Sequence, residues 1–391
     1  MTRSTSAHFP RRAVLRTVGA ASAAAGLAWA APSVASAASR RVPGELRPGG
    51  AFDRFVAEQA AADAFSGTVL LAHRGRPVLS RAYGMAEKGA GLPNRPGTVF
   101  SLASVTKCFT GLAVAQLAAR GALAFRDRLG TYVGGLPDAI AAVTIHHLLT
   151  HTSGVGRPAL GGGRPPTWDG VEETVRGTLD IIRATPPQFT PGTRFGYSND
   201  GYWLLGALVT QVSGQSYYDY VRRHVFAPAG MTHTDFLTKP QVLGRTDVAR
   251  PYWTQPSGER IDFTTTPLLG HIGGPDAGAY STAPDLLRFA GALHDGTLLD
   301  PAYVGLITSA KVPVPPRPGT PSGEREFAAY GFHEFLSGGR SLHGHPGSGP
   351  GTATCLDVHA DTDWVAIVLG NYDTGVRDIV AEARATITRY A

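Results

Sequence analysis

Ser104 and Lys107 form the one S-x-x-K in the chain, and their types and spacing suit nucleophilic catalysis. Three residues apart on a helix, the two side chains share a face one turn apart. A serine hydroxyl attacks only when a nearby base takes its proton, and a lysine amine is such a base wherever its surroundings favour the neutral form. A helix N-terminus at the serine would also aim free backbone N–H groups at a developing oxyanion. On the motif alone, a helix cap beside a solvated lysine is the commoner reading. Residue usage tips the balance: the chain has 32 arginines and only four lysines. Arginine would serve as a solvated cation but not as a base.

Two further constellations could complete the chemistry. Tyr197 and Asn199 form the one Y-x-N. The phenol could relay a proton to a leaving group, and the amide could hold a substrate carbonyl or the lysine. His345-Pro346-Gly347 is one of four H-x-G matches, and the only one embedded among the C-terminal strand-like runs. Glycines there would let a substrate approach the backbone, and Ser348 could offer a second oxyanion N–H. His345 and Gly347 are therefore candidate substrate contacts with Asn199 and Ser348. His146, His147 and His151 cluster without a carboxylate or cysteine pattern, so no zinc site is expected. Asp357 and Asp361 read as turn residues between C-terminal strands.

The elements that must position these residues follow from periodicity and punctuation. A helix is expected from Phe52 to Ala64, then a hairpin of Gly67–His73 and Pro77–Tyr83 around Arg74 to Arg76. Ser104 should open a helix running to Ala119 and stopped by Gly121. Further helices are expected over Ile145–Leu149, Val171–Ala184, Gly201–Val212 and Pro284–Leu293. After a Pro-rich loop from Val312 to Gly323 come strands at Ala329–Leu336, Thr352–Val358 and Trp364–Leu369, then a helix from Val376 to about Tyr390. Strands at both ends with helices between imply that the ends meet in one sheet.

The order S-x-x-K, Y-x-N, H-x-G resembles the β-lactamase-like serine hydrolases: class C β-lactamases, DD-carboxypeptidases, D-aminopeptidases and related esterases. The stretches Ile145–Gly154, Pro191–Asn199 and Ala277–Asp285 are similar to the same family, so the resemblance covers about Phe52 to Ala391. It implies an α+β fold: an antiparallel sheet flanked by helices, with a mostly helical lobe inserted over about 101–278. It also implies that Ser104 is the nucleophile, that Lys107 and Tyr197 share acid–base work, and that Asn199 binds substrate. His345 stands where many relatives carry lysine. Pro346 departs from the pattern, because penicillin-recognising relatives usually place there a threonine whose hydroxyl binds the substrate carboxylate. Proline has no such donor, and a histidine is only partly cationic near neutral pH. The implied reaction is acyl transfer to water on an ester or amide, with no cofactor. The alternatives are a D-alanyl-D-alanine carboxypeptidase or penicillin-binding protein, a class C-like β-lactamase, and a binding protein that keeps the fold without turnover.

Composition bounds the rest. A chain of 391 residues with 43% apolar and 17% charged residues is normal for a globular protein, and 49 glycines with 29 prolines favour many turns. Residues 1–37 read as a twin-arginine-type signal peptide: Arg11-Arg12, an apolar run from Thr17 to Ala31, and a small-residue cleavage site at Ala35 to Ala37. Residues 38–50 read as a linker and 51–391 as the catalytic domain. Cleavage after Ala37 removes four arginines and no acids, so the formal charge falls from +6 to +2 and implies no nucleic-acid partner. The expected location is outside the cytoplasm, with a small-molecule or peptide substrate and possible association with the cell wall. Cys108 and Cys355 are expected to be buried free thiols, a long-range bridge being the alternative.

Overall fold

The apolar runs at the two ends of the chain pair into a single sheet, and the helices between them form the second lobe. The protein is described by a computed structural model over residues 42–156, 168–316 and 323–390. In chain order the strands of the two sheets that frame the site are β1 (Gly67–His73), β2 (Arg76–Tyr83), β3 (Phe100–Ser101), β4 (Asp235–Phe236), β5 (Ala279–Ser281), β6 (Val312–Pro313), β7 (Arg325–Ala328), β8 (His333–Ser337), β9 (Arg340–Gly349), β10 (Thr352–His359) and β11 (Trp364–Gly370). The helices that matter to the site are α1 (Ala51–Ala61), α2 (Thr106–Ala119), α3 (Ile145–Leu149), α4 (Val171–Ala184), α5 (Asn199–Ser213), α6 (Ala283–His294) and α7 (Val376–Tyr390).

An eight-stranded sheet runs in the order β6-β7-β8-β9-β10-β11-β1-β2, antiparallel throughout. Side chains alternate between its faces. Leu70, Ala72, Leu356, Val358, Val365, Ile367 and Leu369 point into the larger core, which includes residues of α2, α3, α5 and α6. Val69, Leu71, Cys355, Ala366 and Val368 point the other way, against Phe52 and Val56 of α1 and Ile379, Ala383 and Ile387 of α7. Burial on both faces explains why β11 reads as a continuous apolar run rather than an alternating one. A small sheet, β3-β5-β4, carries the chain into and out of the helical lobe.

Several expectations are corrected. The strand foreseen over Ala329–Leu336 begins as a turn, in which Gly331 has φ 81°, and only from His333 is it the strand β8; β7 precedes it and was not foreseen. The Pro-rich loop begins with β6, and its residues 317–322 lie outside the described residues. β9 was not foreseen as a strand, because Gly344, Pro346, Gly347 and Gly349 lower its intrinsic propensity; pairing with β10 makes it one. The segment 42–50, expected as linker, is folded: Leu46 is fully buried in the core with α1 and α7. Asp357 is no turn residue. It lies in β10, 1% exposed, and accepts from Arg384 Nε at 2.7 Å and Nη2 at 2.9 Å. Burial pushes its carboxyl upward, but the Arg384 charge and hydrogen bonds outweigh that and hold it below the usual range. Cys108 and Cys355 are free and buried in the two different cores, on opposite faces of the sheet. The expected signal peptide, residues 1–37, lies outside the described residues. No described helix is long and apolar enough to cross a membrane.

Candidate active site

Ser104 sits in a tight turn rather than in the first turn of an α-helix. Ala103–Val105 is a 3₁₀ segment, and α2 begins only at Thr106. Ala103 has φ 44°, the left-handed region that costs a non-glycine residue about 1 kcal/mol or more. The turn is held from outside. Leu102 N–H donates to Ala279 O at 2.8 Å, and Ala279 N–H donates to Thr106 Oγ1 at 3.1 Å. Strand β5 thus clamps both sides of the serine. Close backbone passage fixes α2 as well: a Cβ on Gly331 would meet Lys107 O at 2.4 Å, and one on Gly111 would meet Tyr330 O at 2.2 Å.

Lys107 is fully buried. Its Nζ donates to Asn199 Oδ1 and to Asp276 O, each at 2.8 Å, and lies 3.3 Å from Ser104 Oγ. The two 2.8 Å partners are acceptors only, so they take two amine hydrogens and direct the third position of the nitrogen at the serine. In the ammonium form that position is a hydrogen; in the amine form it is a lone pair. Tyr197 Oη donates to Ser104 Oγ at 2.9 Å from the other side. The serine oxygen therefore lies between a nitrogen and a phenol, the phenol coming from 93 residues further along the chain.

Tyr197 is 43% exposed, yet its ring is well supported. It stacks on His151 at 4.3 Å between centroids, and Lys107 Nζ lies 4.8 Å from its face. His151 is itself buried, has φ 59°, and accepts from Ser198 N–H through Nδ1 at 3.1 Å. Ser198 caps α5 by accepting from Gly201 N–H at 2.8 Å, which places Asn199 at the first position of that helix. Helix α5 begins two residues before the expected Gly201 because of this cap. His151 is the residue that spacing did not select. Its signal was its place in the stretch Ile145–Gly154. Neighbouring His146 and His147 serve elsewhere, against Tyr330 Oη and in a capping box with Thr144. Among the described residues no group of three or more His, Cys, Asp or Glu could hold a metal ion.

The third expected segment lies on β9, which is paired with β8 only up to Gly344. From His345 to Gly349 it keeps β10 on one side, and among the described residues no strand pairs with the other. A proline is tolerated at such an edge. His345 is 2% exposed, and its Nδ1 donates to Pro346 O at 2.6 Å, leaving the Nε2 lone pair as the free function. Burial, with Lys107, His333 and His151 adding to it, holds this imidazole well below its ordinary proton affinity. It is neutral at physiological pH, which corrects the partly cationic group expected. Gly347 packs closely against the serine turn. Its missing side chain makes room for the chain itself: a Cβ there would meet Thr354 Oγ1 at 2.2 Å, Leu102 O at 2.5 Å and Ala103 Cβ at 3.2 Å. Ser348 is exposed on the same edge.

Known proteins are similar to this chain in sequence and in fold. A family model described as Beta-lactamase matches residues 52–388. Penicillin-binding protein 4* of Bacillus subtilis is 30% identical over 321 residues, covering 78% of this chain and 68% of its own. Esterase EstB of Burkholderia gladioli is 31% identical over 277 residues, covering 62% of this chain and 68% of its own. Among solved structures, a penicillin binding protein from Bacillus halodurans superposes with a TM-score of 0.72 at 28% identity, covering 84% of this chain and 98% of that one.

Proposed function

The chain belongs to the Beta-lactamase family and is a serine hydrolase, and from that premise we propose that it is an exported enzyme that forms an acyl-enzyme at Ser104 and hydrolyses a neutral ester or amide. The observation that carries the reading is the position of Ser104 Oγ between Lys107 Nζ and Tyr197 Oη. In the amine form Lys107 takes the hydroxyl proton as Ser104 Oγ bonds to the substrate carbonyl carbon. The carbonyl oxygen becomes an oxyanion, met by the backbone N–H groups of Ser104 and Ser348. Collapse breaks the bond to the leaving alcohol or amine, which receives a proton from Tyr197 Oη, and Lys107 returns one to the phenol. Water then attacks the acyl-enzyme, its proton leaves by the same groups, and the acid and free Ser104 are released. Asn199 orients Lys107 and offers its exposed amide to substrate. His345 supports Tyr197 from behind, with ring centroids 6.5 Å apart.

Two features favour neutral substrates over carboxylate-bearing β-lactams: Pro346 has no hydroxyl, and His345 carries no charge. Export rests on the Arg11-Arg12 leader, and it would place the enzyme with small-molecule or peptide substrates outside the cytoplasm, near the cell wall. The test is intact mass after incubation with a fluorophosphonate, a penicillin and a short-chain nitrophenyl ester. One fluorophosphonate adduct, mapped to Ser104 and absent in Ser104→Ala, is the expected result; an adduct on another serine overturns the assignment.

A further inference from the structure

A cavity of about 390 Å³ lies between β9, β10 and the start of α7, behind the edge of β9 that passes the nucleophile. Phe335, Pro346, Val376 and Val380 give it an apolar lining. Its charged lining is unequal, with Glu324, Glu326, Asp373 and Asp378 against Arg377 and Arg384. Arg384 is moreover committed, bonding Asp357 beneath the cavity through two nitrogens and Glu324 at 3.0 Å. Counting Asp357, five carboxylates face two guanidiniums; counting His333, which bonds Glu326, as a third cation still leaves an excess of negative charge.

The cavity lies on the α7 face of β9, and the serine turn packs against the other face of the same strand. Gly347 and Ser348 line it, and Gly347 packs on Ala103, the neighbour of Ser104. A substrate laid along the unpaired edge from His345 to Gly349 has Ser104 on one side and this cavity on the other. An apolar lining with an excess of carboxylates suits a hydrophobic body that carries an amine, and repels a carboxylate.

We propose that this cavity is a specificity subsite that selects substrates bearing an ammonium group on an apolar body, and discriminates against carboxylates. The proposal rests on the hydrolase reading for the role of Ser104, but the charge preference can be read without turnover. Titration calorimetry with 4-phenylbutylamine, 4-phenylbutan-1-ol and 4-phenylbutyrate compares one body with three charges. Under low salt the amine is expected to bind about fivefold tighter than the alcohol, and the carboxylate weakest. The amine-to-alcohol ratio should fall toward one in Glu324→Gln/Asp378→Asn. Asp378→Asn alone, an exposed position in the first turn of α7, should give part of that fall and serves if the double variant does not fold. A carboxylate that binds as tightly as the amine, or a ratio unmoved in the Asp378→Asn variant, overturns the proposal. The amine should also slow fluorophosphonate labelling of Ser104. Selective amine binding with no labelling of Ser104 in its absence would overturn the acylation reading instead, so the two failures are distinguishable.

Discussion

Lys107 has its donors assigned by geometry, and that makes it a sharp point of test. Asn199 Oδ1 and Asp276 O hold two of its hydrogens, so the third position faces Ser104 whatever the protonation state. An arginine there would keep the charge and lose the lone pair. Lys107→Arg is therefore expected to cost on the order of 10²–10⁴ in rate, nearly as much as Lys107→Ala; near-normal ester turnover in the Arg variant would refute the base assignment. Pro346 tests specificity at the same scale. A threonine hydroxyl on that edge would be a donor to an anionic substrate, a bond worth roughly 1.5–3 kcal/mol when fully made. Pro346→Thr should raise kcat/KM for a penicillin or a D-Ala-D-Ala peptide more than for a nitrophenyl ester. Ester activity, measured alongside, controls for loss of the proline's fixed φ.

At the scale of elements, the site depends on how closely β9 can approach the serine turn. A Cβ on Gly347 would run into Leu102, Ala103 and Thr354. An added methyl must push the turn away, and small displacements of a nucleophile are costly in rate. Gly347→Ala is expected to slow fluorophosphonate labelling of Ser104 by about 10²-fold. The loss for Gly349→Ala, where a Cβ meets nothing within 4 Å, should be far smaller. Equal losses at the two positions would show that the strand's flexibility, not its clearance, matters. The cap on α5 is a second such element. Ser198 both starts the helix that carries Asn199 and donates its backbone N–H to His151, so one residue registers the lysine's partner and the tyrosine's platform.

For the whole molecule, buried titratable groups set the response to acid. Burial lowers His343 to about 3 and His359 to about 4, in each case below the ordinary histidine value. As pH falls from about 6.5, the unfolded chain takes up protons that the folded chain refuses. Stability is thus fully present above that pH and is lost on acidification, by roughly 1.4 kcal/mol per pH unit for each histidine until its folded value is reached. Asp357 adds to the loss lower down, since its depressed carboxyl favours the folded state until the pH falls through its folded value. Chemical denaturation between pH 7 and 4 should show this fall, and His343→Gln should flatten it; a pH-independent midpoint would contradict it. Export belongs to the same scale. Changing Arg11 and Arg12 to Lys should leave the protein in the cytoplasm of its native host, and unimpaired secretion would point to the general secretory route.

What the sequence determined by itself is local. The S-x-x-K spacing puts Ser104 and Lys107 on one face because residues three apart align in a 3₁₀ turn as in an α-helix, and the apolar run of β11 announces a strand covered on both sides. The order of the three motifs carried the family and so the fold. Only the tertiary structure decided which groups meet across long separations. Tyr197 reaches Ser104 from 93 residues away, Asp276 lends a backbone carbonyl from 169 residues beyond Lys107, and His151 slides beneath Tyr197. Backbone carbonyls and stacked rings leave no residue-type signature, so no spacing rule could select them. Strand β9 escaped notice for a related reason: its glycines and proline oppose a strand locally, and its form comes from pairing with β10 and from the clearance that Leu102 and Ala103 require.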